Sequence, residues 1–88
     1  MLRLVYSKRF AKNLRDFLRK HPKLEAAVKE RLSILQNNPK DRRLKIHKLT
    51  GKLKDLNAVS ISYEFRLIFY LESKAIFLIA IGNHDEVY

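Results

Sequence analysis

The sequence predicts a two-layer α+β domain in which an antiparallel sheet packs on a helical hairpin. Apolar residues recur every three or four positions in the first half of the chain and every second position after Leu56. With a short opening strand, the expected order is strand-helix-helix-strand-strand-strand. Because 88 residues suffice for only one core, we expect a single domain over residues 1–88.

The first half of the chain predicts one strand and two helices. Apolar and charged residues alternate over residues 2–6, and Ser7 is a typical N-cap for the helix that follows. That helix carries Phe10, Leu14, Phe17 and Leu18 on one stripe. It should end at His21, because the residue before a proline is disfavoured in a helix. A second helix is expected from about Pro22 to Gln36, and the short link predicts an antiparallel hairpin.

The middle segment, PKDRRLKIHKLTGKLK at residues 39–54, is strongly basic and contains few apolar residues. We interpret it as a connection that also serves as a docking surface, with a turn at Gly51. Three strands should follow, with turns at residues 62–64 and 72–74. The last strand, Ile76 to Ile81, is apolar on both faces, which is typical of a central strand.

The net charge restricts the possible binding partners of the protein more than any other property of its composition. Nineteen Lys and Arg against nine Asp and Glu leave a net charge of +10, which favours nucleic acid, an acidic protein or an anionic membrane, although a merely soluble basic surface has the same charge. The absence of cysteine excludes disulfides and Cys-ligated zinc. Without a signal-like or membrane-length apolar run, a cytoplasmic protein with no membrane contact is expected.

The segment GNHDEVY, residues 82–88, contains the histidine best placed for chemistry. His84 follows an apolar strand, so a rigid element should fix its position. Histidine exchanges protons near neutral pH, since its unperturbed pKa is about 6.5. In RNA, a 2′-hydroxyl can attack the neighbouring phosphorus if one group removes its proton, another protonates the leaving oxygen and cations stabilise the charge.

Other residues complete a candidate site for this reaction. Glu64 or His47 is a candidate base, His84 an acid or base, and Arg66 with the lysines of residues 45–54 a charge stabiliser. Tyr88 is a candidate for stacking on a base or holding a phosphate oxygen. The alternative is structural: a polar tail at residues 84–86, a salt bridge at Arg66, a turn at Glu64 and a solvated His47. His21, beside a proline, is assigned a surface or capping role.

Several other classes of site are disfavoured. Three consecutive residues, 84–86, cannot all point at one ion from regular structure, so no metal site is predicted there. The sequence contains no phosphate-cradling glycine loop and no nucleophile elbow. No cofactor is expected.

Three segments resemble the RelE/ParE superfamily of bacterial toxins, closest to its YafQ branch: HKLTGKLK at 47–54, YEFRLIFYL at 63–71 and IGNHDEVY at 81–88. The predicted element order resembles the RelE-like fold as well. The resemblance implies a ribosome-dependent endoribonuclease that cuts mRNA without a metal and inhibits translation. It also implies a cognate antitoxin, which should be acidic to complement the charge of +10.

The resemblance also implies roles for individual residues. His47 and His84 form its histidine pair, Glu64 stands for a catalytic aspartate, and Tyr88 for the terminal aromatic. Candidate RNA-binding residues are Phe65, which stands for a tryptophan, and the cations Arg42, Arg43, Lys45, Lys48, Lys52 and Lys54. The chain departs from the branch pattern at Ser60 and Ala80, which stand for a histidine and an arginine, and Arg66 is a candidate replacement for that lost cation.

Two alternative functions remain open from the sequence. A ParE-like toxin shares the fold and inhibits DNA gyrase without being an enzyme, but a placed histidine has no evident use there. A weakly catalytic RNA- or ribosome-binding module is compatible with the departures at Ser60 and Ala80. The favoured hypothesis is an mRNA endoribonuclease whose partners are the ribosome, mRNA and an antitoxin.

Overall fold

A computed structural model describes residues 1–49 and 55–87 and has the predicted two-layer α+β architecture. The elements are β1 (Arg3–Tyr6), α1 (Lys8–Lys20), α2 (Glu25–Asn37), β2 (His47–Lys48), β3 (Asn57–Ser60), β4 (Phe65–Glu72), β5 (Ala75–Asn83) and α3 (His84–Val87). Short 3-10 turns lie at Pro22–Leu24 and Arg42–Leu44. The sequence analysis missed β2, inside the basic segment, and the terminal helix α3.

The boundaries of the helical hairpin follow from local chemistry, as predicted. Ser7 caps α1, since its hydroxyl accepts a 3.0 Å hydrogen bond from the Phe10 amide. The helix ends before Pro22, where the His21 amide donates to the Phe17 carbonyl. None of the helices in the described part of the chain has the length and apolarity needed to cross a membrane.

The sheet is mixed rather than wholly antiparallel. Its strand order is β1-β5-β4-β3-β2, and β2 to β5 pair antiparallel as expected. At the edge, however, β1 pairs parallel with β5, with Arg3 opposite Ala75 and Tyr6 opposite Leu78. Parallel neighbours need a long crossover, which the helical hairpin and the strands after it supply here. The last strand therefore lies inside the sheet, between β1 and β4.

The core lies between the sheet and the two long helices. Its buried members are Phe10, Phe17, Val28, Leu32, Leu35, Leu44, Val59, Ile61, Phe65, Leu67, Phe69, Ile76, Leu78 and Ile81. Leu44 corrects the interpretation of the basic segment as lacking core residues, because its side chain is fully buried. Asp41 explains this: its carboxylate caps the 3-10 turn through the Arg43 amide, and that turn directs Leu44 inward.

A β-bulge divides β5 into two parts whose side chains alternate in opposite phase. Leu78 pairs with Phe69 but Ala80 pairs with Ile68, so Ile79 is an extra residue. Before the bulge, even-numbered residues of β5 face the core; after it, Ile81 does. Gly82 therefore lies on the sheet face away from the long helices, which we call the open face. Arg66, its partner on β4, shares that face.

Candidate active site

His84 is held at the end of β5 by a reciprocal cap. The Asn83 amide donates to Glu86 Oε1 and the Glu86 amide donates to Asn83 Oδ1, both at 2.8 Å. This is a capping box, in which the residue before a helix and its third residue satisfy each other's backbone amides. His84 is thus the first residue of α3, and its side chain is 76% exposed. Its Nδ1 lies 3.8 Å from Asp85 Oδ1.

Gly82 allows α3 to fold back against the open face. A Cβ built on Gly82 would lie 3.0 Å from both Cβ and Oε1 of Glu86, closer than ordinary van der Waals contact. A larger residue at this position would push against the same carboxylate that caps Asn83. Glycine therefore leaves room for Glu86, which would have to shift by a few tenths of an ångström to accommodate a Cβ, and together with the capping box it sets the direction in which the chain leaves β5.

Glu64 and His84 lie beyond the same end of two paired strands. Phe65 pairs with Asn83 and Arg66 with Gly82, so Glu64 precedes β4 where His84 follows β5. Both side chains are exposed. The register therefore brings Glu64 and His84 to the same end of the β4–β5 pair, with Arg66 two residues after Glu64 on β4.

Arg66 stabilises the turn that carries Glu64. Its Nη1 donates to the carbonyls of Ser62 at 2.7 Å, Phe65 at 3.0 Å and Tyr63 at 3.2 Å. A guanidinium carries five donor N–H groups, so this clamp through Nη1 is compatible with an anion contact through Nε or Nη2. The turn between β3 and β4 thus positions both the Arg66 guanidinium and the residue that carries the carboxylate, Glu64.

A second arginine, Arg31, holds the other side of this turn. Its Nε donates to the Ser60 carbonyl at 3.0 Å, and its guanidinium also pairs with Glu30. The sequence analysis did not identify Arg31, because a charged residue on the polar flank of a helix stripe carries no signal of a distant contact. The β3–β4 turn is thus tied to both the sheet and α2.

His47 does not lie beside His84. It pairs with Ala58, whose partner on β4 is Ile68, so β2 and β5 are separated by three strand spacings, or about 14 Å. His47 nevertheless lies on the open face. The cross-strand pairs lead from it through Ala58 and Ile68 to Ala80, which is on that face. The neighbour of His47, Lys48, pairs with Asn57, in the row that faces the helices. The two histidines thus lie on the same face but are too far apart to act on the same proton.

The basic residues proposed to bind RNA occupy different environments. Arg42, Lys45 and Lys48 are exposed. Arg43 is exposed as well but pairs with Asp41, through bonds of 3.1 Å from Nε and 2.8 Å from Nη2. These hydrogen bonds lower the pKa of the Asp41 carboxyl to about 2 and raise the pKa of the Arg43 guanidinium. Lys52, Lys54 and Tyr88, with the turn predicted at Gly51, lie outside the described residues.

Phe65 belongs to the core rather than to an exposed stacking surface. The residue is only 7% exposed, and its ring centroid lies 5.0 Å from that of Phe17 and 4.5 Å from that of His21. In this conformation the ring cannot stack on a base. His21, assigned to a surface or capping role, caps α1 through its backbone and packs its half-buried ring over the same aromatic pair.

Both departures from the branch pattern lie on the open face, near the candidate site. Ser60 pairs with Arg66, and its hydroxyl donates to the Ser62 carbonyl at 3.1 Å. Ala80 lies two residues before Gly82 in the same phase. Within residues 1–49 and 55–87, no group of three or more His, Asp or Glu side chains is arranged to hold a metal ion.

Several solved structures of bacterial toxins are similar to this chain. A copper-bound mutant toxin from Helicobacter pylori is 25% identical, with a TM-score of 0.85 over 100% of both chains. YafQ from Escherichia coli strain BL21(DE3) is 22% identical, with a TM-score of 0.83 over 100% of this chain and 99% of that one. YafQ in the E. coli DinJ–YafQ complex is 22% identical, with a TM-score of 0.82 over the same shares.

Sequence comparison identifies the family. A search of curated protein sequences finds no significant match. The family model that describes the YafQ bacterial toxin of type II toxin–antitoxin systems matches residues 2–88, which is almost the whole chain. The fold and the register of the terminal strands agree with the resemblance inferred from residues 47–54, 63–71 and 81–88. The chain therefore belongs to the YafQ family of toxins of type II toxin–antitoxin systems.

Proposed function

We propose that this toxin is an endoribonuclease that cleaves mRNA on the ribosome and thereby inhibits translation. The observation that supports the proposal is the register of β4 and β5, which puts Glu64, Arg66 and His84 at the same end of this strand pair. Two sets of contacts hold that end: Glu86 caps α3 and packs against Gly82, and Arg66 clamps the turn before β4. Such a placement suits a reaction that needs two proton-transfer groups and a cation at fixed positions.

The proposed reaction is attack by the RNA's own 2′-hydroxyl. Glu64 accepts the hydroxyl proton as the 2′-oxygen bonds to phosphorus, and the bond from phosphorus to the 5′-oxygen breaks. His84 donates a proton to that leaving oxygen, while Arg66 stabilises the negative charge on the phosphoryl oxygens. The products are a 2′,3′-cyclic phosphate and a 5′-hydroxyl. Both protons pass through side chains, so this scheme needs no metal ion or cofactor.

The remaining basic residues contact the RNA backbone in this proposal. In this proposal His47 contacts a neighbouring nucleotide and takes no part in the proton transfer, because three strand spacings separate β2 from β5; that separation favours Glu64 as the base. Arg42, Lys45 and Lys48 add positive charge at the β2 edge of the sheet, which attracts ribosomal RNA. Arg43, paired with Asp41, contributes less, and Phe65 is not among the contacts. Tyr88, Lys52 and Lys54 remain predicted contacts.

We also propose that a cognate antitoxin silences the toxin in the cytoplasm. The E. coli toxin YafQ has been solved in complex with DinJ, and membership of a type II family supports a protein antitoxin here. The net charge of +10 favours an acidic partner, because charge complementarity steers association and opposes wrong partners. A small acidic protein encoded beside this chain is expected to bind it and to restore translation.

The test is cleavage of a defined mRNA on purified ribosomes programmed with it. The wild-type protein is expected to cut the message, and His84→Ala to leave it intact while keeping its circular dichroism spectrum. Glu72→Ala is the matched control, because this exposed carboxylate lies at the opposite end of β4. Full cleavage by folded His84→Ala would overturn the proposal. So would ribosome binding without cleavage by the wild type, or inhibition of DNA gyrase supercoiling instead.

A further inference from the structure

One edge of β5 loses its strand partner just before the candidate site. The strand β1 pairs with β5 only as far as Tyr6 and Leu78. The chain then leaves the sheet at Ser7 to form α1, while β5 continues to Asn83. Between the bulge and His84, the β1-side edge of β5 therefore has no strand partner within residues 1–49 and 55–87, although buried backbone groups must find partners elsewhere.

Asn13 takes the place of that missing strand. Its Oδ1 accepts a 2.8 Å hydrogen bond from the Ile81 amide, and its Nδ2 donates to the Ile81 carbonyl at 3.1 Å. A carboxamide carries one carbonyl and one donor group, as a peptide unit does, so it can satisfy both backbone groups of one residue. The side chain of Ile81 is buried in the core, so the two hydrogen bonds join Asn13 to a residue that packing already holds in place.

Asn13 occupies a position where packing alone would favour an apolar residue. It lies three residues after Phe10 and four before Phe17, both buried, and thus on the inner side of α1. Asn13 also lines a groove of about 850 Å³ between α1 and β5, and Glu86 of the capping box is another of its lining residues. The amide thus connects the helix layer to the part of β5 that leads into α3.

We propose that Asn13 is a positioning residue for His84. It fixes Ile81 against α1, and Ile81 is followed directly by the glycine that α3 packs on and by the asparagine that caps α3. With β4 pairing on one edge and Asn13 on the other, the end of β5 is held from both sides. The catalytic part of this inference rests on the proposed function, whereas the structural part does not.

Two variants separate positioning from general stability. Asn13→Leu keeps the size of the side chain and removes both hydrogen bonds, whereas Asn13→Asp keeps the acceptor for the Ile81 amide and loses the donor to its carbonyl. Ser7→Ala is the matched control, because it removes the N-cap of the same helix without touching β5. Melting temperatures of all three variants show how much fold stability each substitution costs.

Two readouts test the inference. Amide hydrogen exchange at Ile81 and the NMR signals of His84 should change in Asn13→Leu, change less in Asn13→Asp and stay at wild-type values in Ser7→Ala. In mRNA cleavage, Asn13→Leu should lower kcat by about ten- to a hundredfold with little change in KM, as expected when a catalytic group is misplaced by about 1 Å. Ser7→Ala should keep wild-type kcat.

The outcomes distinguish this inference from the proposed function. If the wild type cleaves mRNA and Asn13→Leu has the kcat of Ser7→Ala, the inference is overturned and the proposed function stands. If the wild type cleaves nothing, the proposed function fails, and the exchange and NMR readouts still decide whether Asn13 fixes the end of β5. Unchanged His84 signals in Asn13→Leu would overturn the inference in either case.

Discussion

Removing the Glu86 carboxylate should release α3 and with it His84. Glu86→Ala deletes the acceptor of the 2.8 Å bond from the Asn83 amide but keeps the backbone amide at position 86 that donates the reciprocal bond to Asn83 Oδ1. Loss of a helix cap costs about 1 kcal/mol, with a range of roughly 0.5–2. Since every 1.4 kcal/mol is tenfold in an equilibrium constant, 1 kcal/mol reduces the formation constant of α3 about fivefold.

A fivefold change matters here because α3 is only four residues long. Helices of that length have no appreciable stability of their own, so their population depends on caps and packing. We therefore expect single-turnover cleavage to slow by about fivefold in Glu86→Ala, while the melting temperature stays near that of the wild type because the core is untouched. Glu86→Gln is the matched control: it keeps an acceptor oxygen and should retain most of the activity.

The assay pairs cleavage with amide exchange at Asn83 and Glu86. Exchange at both amides should accelerate in Glu86→Ala and remain slow in Glu86→Gln. Wild-type exchange at these two amides in Glu86→Ala, together with wild-type cleavage, would refute the reasoning. The capping box would then neither stabilise α3 nor position His84.

Three further predictions concern stability and RNA binding. Leu44→Ala should lower the free energy of unfolding by about 2–5 kcal/mol in urea denaturation, because Leu44 is fully buried; a loss below about 1 kcal/mol would contradict its core role. The Asp41 pKa of about 2 lies below its value of about 3.9 in an unfolded chain, so its contribution is complete above about pH 5 and is lost as the pH falls through 2 to about 1. Asp41→Asn should therefore be less stable than the wild type at pH 7, and the difference should shrink as the pH falls through 2; a constant difference across that range would contradict the pairing with Arg43. Lys45→Gln should reduce the salt dependence of ribosome binding by about one phosphate contact, whereas Lys29→Gln on α2 should leave it unchanged; equal effects would argue against a basic RNA-binding edge.

Local signals in the sequence were sufficient for the helical hairpin. Ser7 and Pro22 fix the ends of α1 through hydrogen bonds and sterics that involve only nearby residues, so they predict its boundaries well. The two turns of the terminal meander lie where residues 62–64 and 72–74 indicated. The pairing of β1 with β5 depends instead on residues about 70 positions apart, and no periodicity reports it.

The bulge at Ile79 shows where periodicity misleads. Residues 76–81 form an apolar run with no clear alternation, which predicts a central strand that is apolar on both faces. In the structure the alternation of side chains changes phase at Ile79. This change decides which residues between the bulge and His84 lie on the open face. One extra residue cannot be located from hydrophobicity alone, because both phases are apolar around it.

Two features of the candidate site carried a signal that the sequence analysis did not use. Asn83 followed three residues later by Glu86 is a capping-box spacing, and it accounts for a carboxylate that the structural alternative placed in a polar tail. Asn13 is a polar residue at an apolar stripe position, which indicates a buried hydrogen bond. The partner of Asn13, by contrast, depends on the tertiary fold.

The most direct test of the central claim is cleavage of an mRNA that carries a single 2′-deoxynucleotide on the 5′ side of the scissile bond. The account predicts that the wild-type toxin cuts the all-ribose message on the ribosome, leaving a 2′,3′-cyclic phosphate and a 5′-hydroxyl, and that the deoxy substitution abolishes cutting at that bond. Cleavage of the deoxy-substituted bond, or fragments with 5′-phosphates, would contradict attack by the 2′-hydroxyl and the roles assigned to Glu64 and His84.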